Sequence, residues 1–200
     1  MRVELTPGYS ISRIIKGGWQ LAAGHGVTPP VAQAHADMAA FVEAGVTTFD
    51  CADIYTGVED LIGSFAPPFG RSVQVHTKYV PDLMSLDTVD AADTGAIIDR
   101  SRGRLRREAL DLVQFHWWDY EVRRYVEVAR HLEALRLEGV IRYIGATNFD
   151  SRRLREILDA GVPVISHQVQ YSLLDRRPAG AMSALAADRG FKFLCYGSLL

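Results

Sequence analysis

Apolar and β-branched residues come in short runs along the chain: "VTTFD" (46–50), "VQVHTKY" (73–79), "LDLVQFHW" (110–117), "VIRYIGATN" (140–148), "VISHQVQYS" (164–172) and "FKFLCYG" (191–197). Runs this short and this apolar predict strands covered on both faces. An earlier run, "ISRIIKGGWQL" (11–21), predicts one more strand and is counted first. The gaps carry helical spacing. "SRRLREILDAG" (151–161) puts Leu154, Ile157 and Leu158 on one face, opens with Asp150 or Ser151 as a cap and stops at Gly161. "YVEVARHLEALRLEG" (125–139) does the same with Val128, Leu132 and Leu135, and stops at Gly139. Strands alternating with helices mean βαβ units and a parallel sheet, either a (β/α) barrel or a doubly wound sheet. With no Pro- or Gly-rich linker and no low-complexity segment, residues 1–200 are expected to form one α/β domain.

Polar residues at the strand ends bear on that choice. Asp50 ends the second strand, Tyr55 lies just beyond it, Lys78 ends the third and His116 the fourth. In a parallel barrel these ends share one face, where barrel enzymes build their sites. Acids after an apolar run also serve plain turn chemistry, and Asp53 is assigned such a bracing role. The remaining set suits one kind of reaction. A tyrosine near its ordinary pKa of about 10 is a poor proton donor at neutrality and needs a cation beside it. Lys78 supplies that cation, Asp50 its counter-ion, and His116 a hydrogen bond that orients a carbonyl. The result is a proton-transfer site for a C=O group, with Tyr55 as general acid and its pKa lowered by Lys78. No side chain is an obvious nucleophile, so the electrons have to come from a cofactor. Two rival readings stay open: a metal-dependent barrel hydrolase recruiting Asp50, His76 and His116, and a non-catalytic nucleotide-binding subunit. Strand one lacks an H-x-H pair and a hydrolase has no need of Tyr55 with Lys78, which weighs against the first.

The motifs "FDCADIYTGVEDLIG", "VHTKY", "DLVQFHWWD", "IRYIGATNF" and "HQVQYSLLDRR" resemble, in order and spacing, the successive signatures of the aldo-keto reductases, from about residue 11 to residue 200. The resemblance implies a (β/α)8 TIM-type barrel that binds NADP(H), with NAD(H) not excluded, and exchanges hydride with a small-molecule aldehyde, ketone or alcohol. It makes Asp50, Tyr55, Lys78 and His116 the catalytic tetrad. It implies that Asn148 and Gln168 hold the nicotinamide carboxamide, and that Tyr196 stacks on the nicotinamide ring. By the same resemblance Gly197, Ser198, Leu199 and Leu200 run along the pyrophosphate, and Gly18 and Trp19 touch the nicotinamide side. Two positions depart from the family pattern: Thr147 stands for Ser and keeps the hydroxyl, while His167 stands for Asn and alters one polar contact. On this count "FKFLCYG" is the seventh strand, so the expected barrel is incomplete, lacking its eighth βα unit. Strands one and seven would then have open edges, weak activity in isolation would follow, and oligomers could form through those edges.

Composition narrows the partners. The 200 residues are 48% hydrophobic and 23% charged, enough for one core, and the net charge of −2 gives no global field toward nucleic acid or anionic lipid. No stretch is long and apolar enough for a membrane span or a leader, which predicts a cytoplasmic protein. Cys51 and Cys195 sit in apolar runs outside any C-x-x-C pattern and are expected to be buried free thiols, with no metal site. The basic run "DRSRGRLRR" (99–107) is expected to be a solvated helix face. His25, His35 and His131 are expected at the surface and His76 in the core. Of Trp117 and Trp118, one is expected to wall a substrate mouth even if the other only packs.

Overall fold

The computed structural model describes residues 2–25 and 29–198. Two antiparallel strands, β1 (Arg2–Thr6) and β2 (Tyr9–Ser12), precede seven parallel ones: β3 (Ile15–Gly17), β4 (Thr48–Asp50), β5 (Gln74–Tyr79), β6 (Leu112–Phe115), β7 (Ile144–Thr147), β8 (Val164–Gln170) and β9 (Lys192–Tyr196). The seven pair in strict sequence order, with β3 and β9 at the two edges. A doubly wound sheet reverses its order at a switch point. Here there is no reversal, and the sheet curls as an incomplete (β/α) barrel. The helices α1 (Val31–Glu43), α2 (Val58–Phe65), α3 (Ala91–Leu105), α4 (Tyr125–Leu137), α5 (Ser151–Asp159) and α6 (Ala181–Arg189) alternate with the strands.

The main core lies between the outer sheet face and the helices. Phe49, Val75, Val113, Phe115 and Ile144 from the strands are buried against Ile62, Ile98, Val128, Leu132, Leu154 and Leu185 from the helices. Side chains of this size each contribute about 1.5–3 kcal/mol when taken fully out of water. The capping predicted from sequence holds for α5: the Asp150 carboxylate accepts from the Arg153 amide at 2.9 Å, and Gly161 takes φ +88° beyond the helix end. At α2 and α3 the fit is tighter, since a Cβ on Gly63 would sit 2.0 Å from the Arg104 carbonyl oxygen.

A second, smaller core fills the sheet's inner face near its N-terminal end. Leu5, Tyr9 and Ile11 of the β1–β2 hairpin are buried with Leu112 and Leu194. The Tyr9 ring stacks on Tyr143 at 4.3 Å, and its hydroxyl lies 3.0 Å from His76 Nε2. Ser12 ties the hairpin to β4, its Oγ accepting from the amides of Thr47 and Thr48. The single strand expected over 11–21 is therefore corrected: Ile11 and Ser12 belong to the hairpin, Ile15–Gly17 pairs with β4, and Trp19–Leu21 is a 3-10 turn. Gly8, at φ +79°, closes the two-residue Pro7–Gly8 turn that makes this possible. Cys51 is buried as expected, but Cys195 is exposed, because β9 has a sheet neighbour on one side only. No helix among the described residues is long and apolar enough to cross a membrane.

Candidate active site

Strands β4, β5 and β6 deliver the polar cluster. Side chains alternate along a strand, so His76 and Lys78, both on β5, face the same way, while His116 directly follows the end of β6. Lys78 Nζ donates to Asp50 Oδ2 at 2.5 Å and to the Cys51 carbonyl at 2.8 Å. Asp50 Oδ1 accepts from Gln114 Nε2 at 2.7 Å and from Gln168 Nε2 at 2.9 Å. The carboxylate thus holds three donors while almost out of water, which is what a buried charge requires. Burial opposes the Lys78 ammonium, but Asp50 outweighs it and the pKa is raised. Gly18 approaches from the loop after β3. Its amide donates to the Asp50 carbonyl at 2.7 Å, and a Cβ there would meet that same oxygen at 2.9 Å, so only glycine fits.

Tyr55 is half-buried on the turn that leads through Gly57 (φ +82°) into α2. Lys78 Nζ lies 5.0 Å from the centroid of its ring. Burial raises the Tyr55 pKa, Lys78 pulls it down, and burial wins. The lowered pKa expected from sequence is corrected: desolvation of the phenolate costs more than one partly neutralised ammonium returns. His116, also half-buried, has its pKa lowered by burial first and by Lys78. Its ring meets Trp118 edge-on at 4.6 Å, and Nδ1 is 3.5 Å from the Thr147 carbonyl, too long to commit the ring's one proton there. Trp118 is exposed at the rim, whereas Trp117 is packed at 1% exposure with Nε1 donating to the Asp119 and Val122 carbonyls.

The ends of β7, β8 and β9 bring together a second group. Asn148 takes φ +60°, its amide donates to the Gln168 carbonyl at 3.0 Å, and its Oδ1 accepts from the Tyr196 hydroxyl at 2.9 Å. Gln168 joins this group to the first through Asp50. Beside them opens a cleft of about 430 Å³ lined by Asn148, Ser151, Gln170, Arg177 and Tyr196. Gly197 and Ser198 follow Tyr196, while Leu199 and Leu200 lie outside the described residues. Trp19 is exposed and packs on His25 at 4.2 Å rather than on the tetrad.

Several features depart from the sequence reading. Gln114, inside the β6 run, lies outside the set read from the sequence, yet it donates to Asp50. Asp53 braces its turn through the backbone, its carbonyl accepting from Arg104 at 3.0 Å, while its buried carboxylate faces only the backbone of Val80 and Ile54, with no close hydrogen bond among the described residues. Burial first, then Glu59, pushes its pKa up to about 7. The basic run is not simply a solvated face: Arg104 pairs with the buried Glu59, which also accepts from Thr77 at 2.6 Å, and Arg107 donates to the Gly70 and Val73 carbonyls. His76 is the core histidine expected, fully buried with Nε2 against the Tyr9 hydroxyl at 3.0 Å. Among the described residues no group of three His, Cys, Asp or Glu is placed to hold a metal. His35, expected at the surface, is half-buried and contacts Ser64 Oγ at 3.1 Å.

The Aldo/keto reductase family model matches residues 13–200. An aldo-keto reductase of Mycobacterium sp. (strain JLS) is 31% identical over 205 residues, covering 99% of this chain and 69% of that protein. Flagellar radial spoke protein 5 of Chlamydomonas reinhardtii is 28% identical over 191 residues, covering 74% of this chain and 35% of that protein. The solved thermostable aldo-keto reductase Tm1743, in complex with the inhibitor epalrestat, superposes with a TM-score of 0.84 at 26% identity, covering 98% of this chain and 72% of that one. This chain therefore spans only part of the length of each. With the family model matched over nearly all its residues and the curled parallel sheet in common, the chain belongs to the aldo/keto reductase family.

Proposed function

We propose that the chain reduces an aldehyde or ketone, or oxidises the matching alcohol, with Asp50, Tyr55, Lys78 and His116 as its catalytic residues and NADP(H), or NAD(H), as cofactor. The observation that carries this reading is the buried Lys78–Asp50 pair beside Tyr55. The phenol is protonated at neutral pH; burial raises its pKa and so weakens it as an acid, and Lys78 is the group that works against that rise. As its proton moves to the carbonyl oxygen, the Lys78 ammonium stabilises the phenolate left behind, and Asp50 keeps Lys78 charged and fixed. His116, held neutral by burial, offers an N–H to the same oxygen.

The residues present fit a nicotinamide. Among the described residues Asn148 Nδ2 and Gln168 Oε1 are unpaired, a donor and an acceptor matching a primary amide, and Tyr196 is exposed beside them. The bound cofactor supplies the hydride. Gly18, Trp19, Gly197, Ser198 and Leu199 belong to the same proposed contact set. Residues 1–200 are taken as one barrel-type unit acting in the cytoplasm on small molecules, with no nucleic-acid or membrane partner and with β3 and β9 as the edges through which copies could associate. The experiment is NADPH and NADH oxidation over a panel of aldehydes, ketones and sugars, run with and without a metal chelator. Carbonyl-dependent oxidation insensitive to the chelator is expected. Cofactor binding without turnover would favour a non-catalytic subunit, and chelator-sensitive activity a metal enzyme.

A further inference from the structure

We propose that His167 is a positioning residue that fixes Asn148 through the backbone amide of Phe149. This rests on the reading of Asn148 as a cofactor ligand only for its consequence in affinity. His167 is wholly buried on β8, and its Nε2 lies 3.1 Å from the Phe149 amide nitrogen. An amide only donates, so Nε2 must carry the lone pair and the proton must sit on Nδ1. Burial alone pushes the His167 pKa down to about 4, which keeps the ring neutral and able to accept. Nδ1 has no hydrogen-bond partner, so the bond to Phe149 is the ring's only polar tie among the described residues.

The turn needs such a tie. Asn148 is in the left-handed region at φ +60°, which asparagine enters more readily than other non-glycine residues but holds as a single shape only when its surroundings fix it. Three bonds do so: the Asn148 amide to the Gln168 carbonyl at 3.0 Å, the Tyr120 hydroxyl to the Asn148 carbonyl at 3.3 Å, and the Phe149 amide to His167. Two of the three come from neighbouring residues of β8. Gln168 also sends its side chain inward to Asp50, while His167 meets Phe191 edge-on at 6.2 Å within the core. One short stretch of strand therefore sets the spacing between Asn148 and Gln168, the pair proposed to grip the carboxamide.

The test compares the parent with His167→Leu, which fills the space without an acceptor, and His167→Asn, which restores one. Amide exchange at Phe149, nitrogen NMR of the His167 ring, and NADPH affinity by fluorescence are the readouts, with kcat measured at saturating cofactor. His167→Leu is expected to speed Phe149 exchange and weaken NADPH binding, each about tenfold, as loss of one hydrogen bond implies, with kcat within about twofold and His167→Asn recovering most of the affinity. An Nε2–H tautomer in the parent overturns the proposal with no need of a variant. So does unchanged Phe149 exchange in His167→Leu, or equal impairment of the two variants. If the parent itself fails to bind NADPH, the functional reading falls, and tautomer and Phe149 exchange still decide whether His167 fixes the turn.

Discussion

The two halves of the site are built in opposite ways. On the β4–β6 side Asp50 and Lys78 are buried, their charges cancel at 2.5 Å, and Asp50 is further held by two amide donors. On the β7–β9 side Asn148 and Tyr196 are exposed, and Asn148 gains its fixed shape from its backbone rather than from burial. The difference matches what each half is proposed to do. Proton transfer benefits from fixed charges in a dry setting, where they act strongly and need no reorganisation. Gripping an exchangeable cofactor requires open donors and acceptors on a rigid frame. Gln168 is the hinge of the comparison, since its Nε2 belongs to the first half and its Oε1 to the second.

The sharpest way to break that contrast is Lys78→Met. It leaves Asp50 buried with amide donors alone, which should destabilise the fold by about 3–5 kcal/mol and cut carbonyl reduction by orders of magnitude; urea unfolding and NADPH oxidation report the two effects. Gln114→Leu should cost less, about 1.5–3 kcal/mol, because it removes one hydrogen bond to a charged oxygen, and it should lower kcat more than it changes cofactor affinity. Asn148→Ala on the open side should weaken NADPH binding several-fold in a fluorescence titration, with kcat at saturating cofactor nearly unchanged.

A further effect concerns Asp53 and depends on pH. Its folded pKa of about 7 lies above the ordinary 3.8, so the folded state holds the extra proton between these values. The stability this contributes is complete below about pH 4 and is lost as pH rises through about 7. Asp53→Asn should therefore raise the urea midpoint at pH 8 relative to the parent and leave it little changed at pH 4.

Asp50, Lys78 and His116 were legible in the sequence because each is a polar residue ending an apolar run, and the alternation of strands with helices brings such ends together. Gln114 carried the same inward periodicity but sat inside its run, where it passed for ordinary strand polarity. The β1–β2 hairpin was signalled by Pro7–Gly8 between Leu5 and Tyr9, yet the longer apolar run over 11–21 drew the strand across its boundary. The direction of the Tyr55 shift was not legible, because pattern gives the partner Lys78 but not the degree of burial that opposes it. Nor was the structural use of Arg104 and Arg107, since the carbonyls and the Glu59 they reach are distant in sequence.

The central claim, that the β4–β6 cluster moves the proton while the β7–β9 group holds the cofactor, is tested most directly by following deuterium from 4-deuterated NADPH into the product alcohol for the parent and Tyr55→Phe at matched cofactor saturation. The account predicts label on the carbinol carbon with the parent, a rate about 10²–10⁴-fold lower with Tyr55→Phe, and an NADPH affinity nearly the same in both. Equal rates of label transfer in the two proteins, or loss of NADPH binding in Tyr55→Phe, would contradict it.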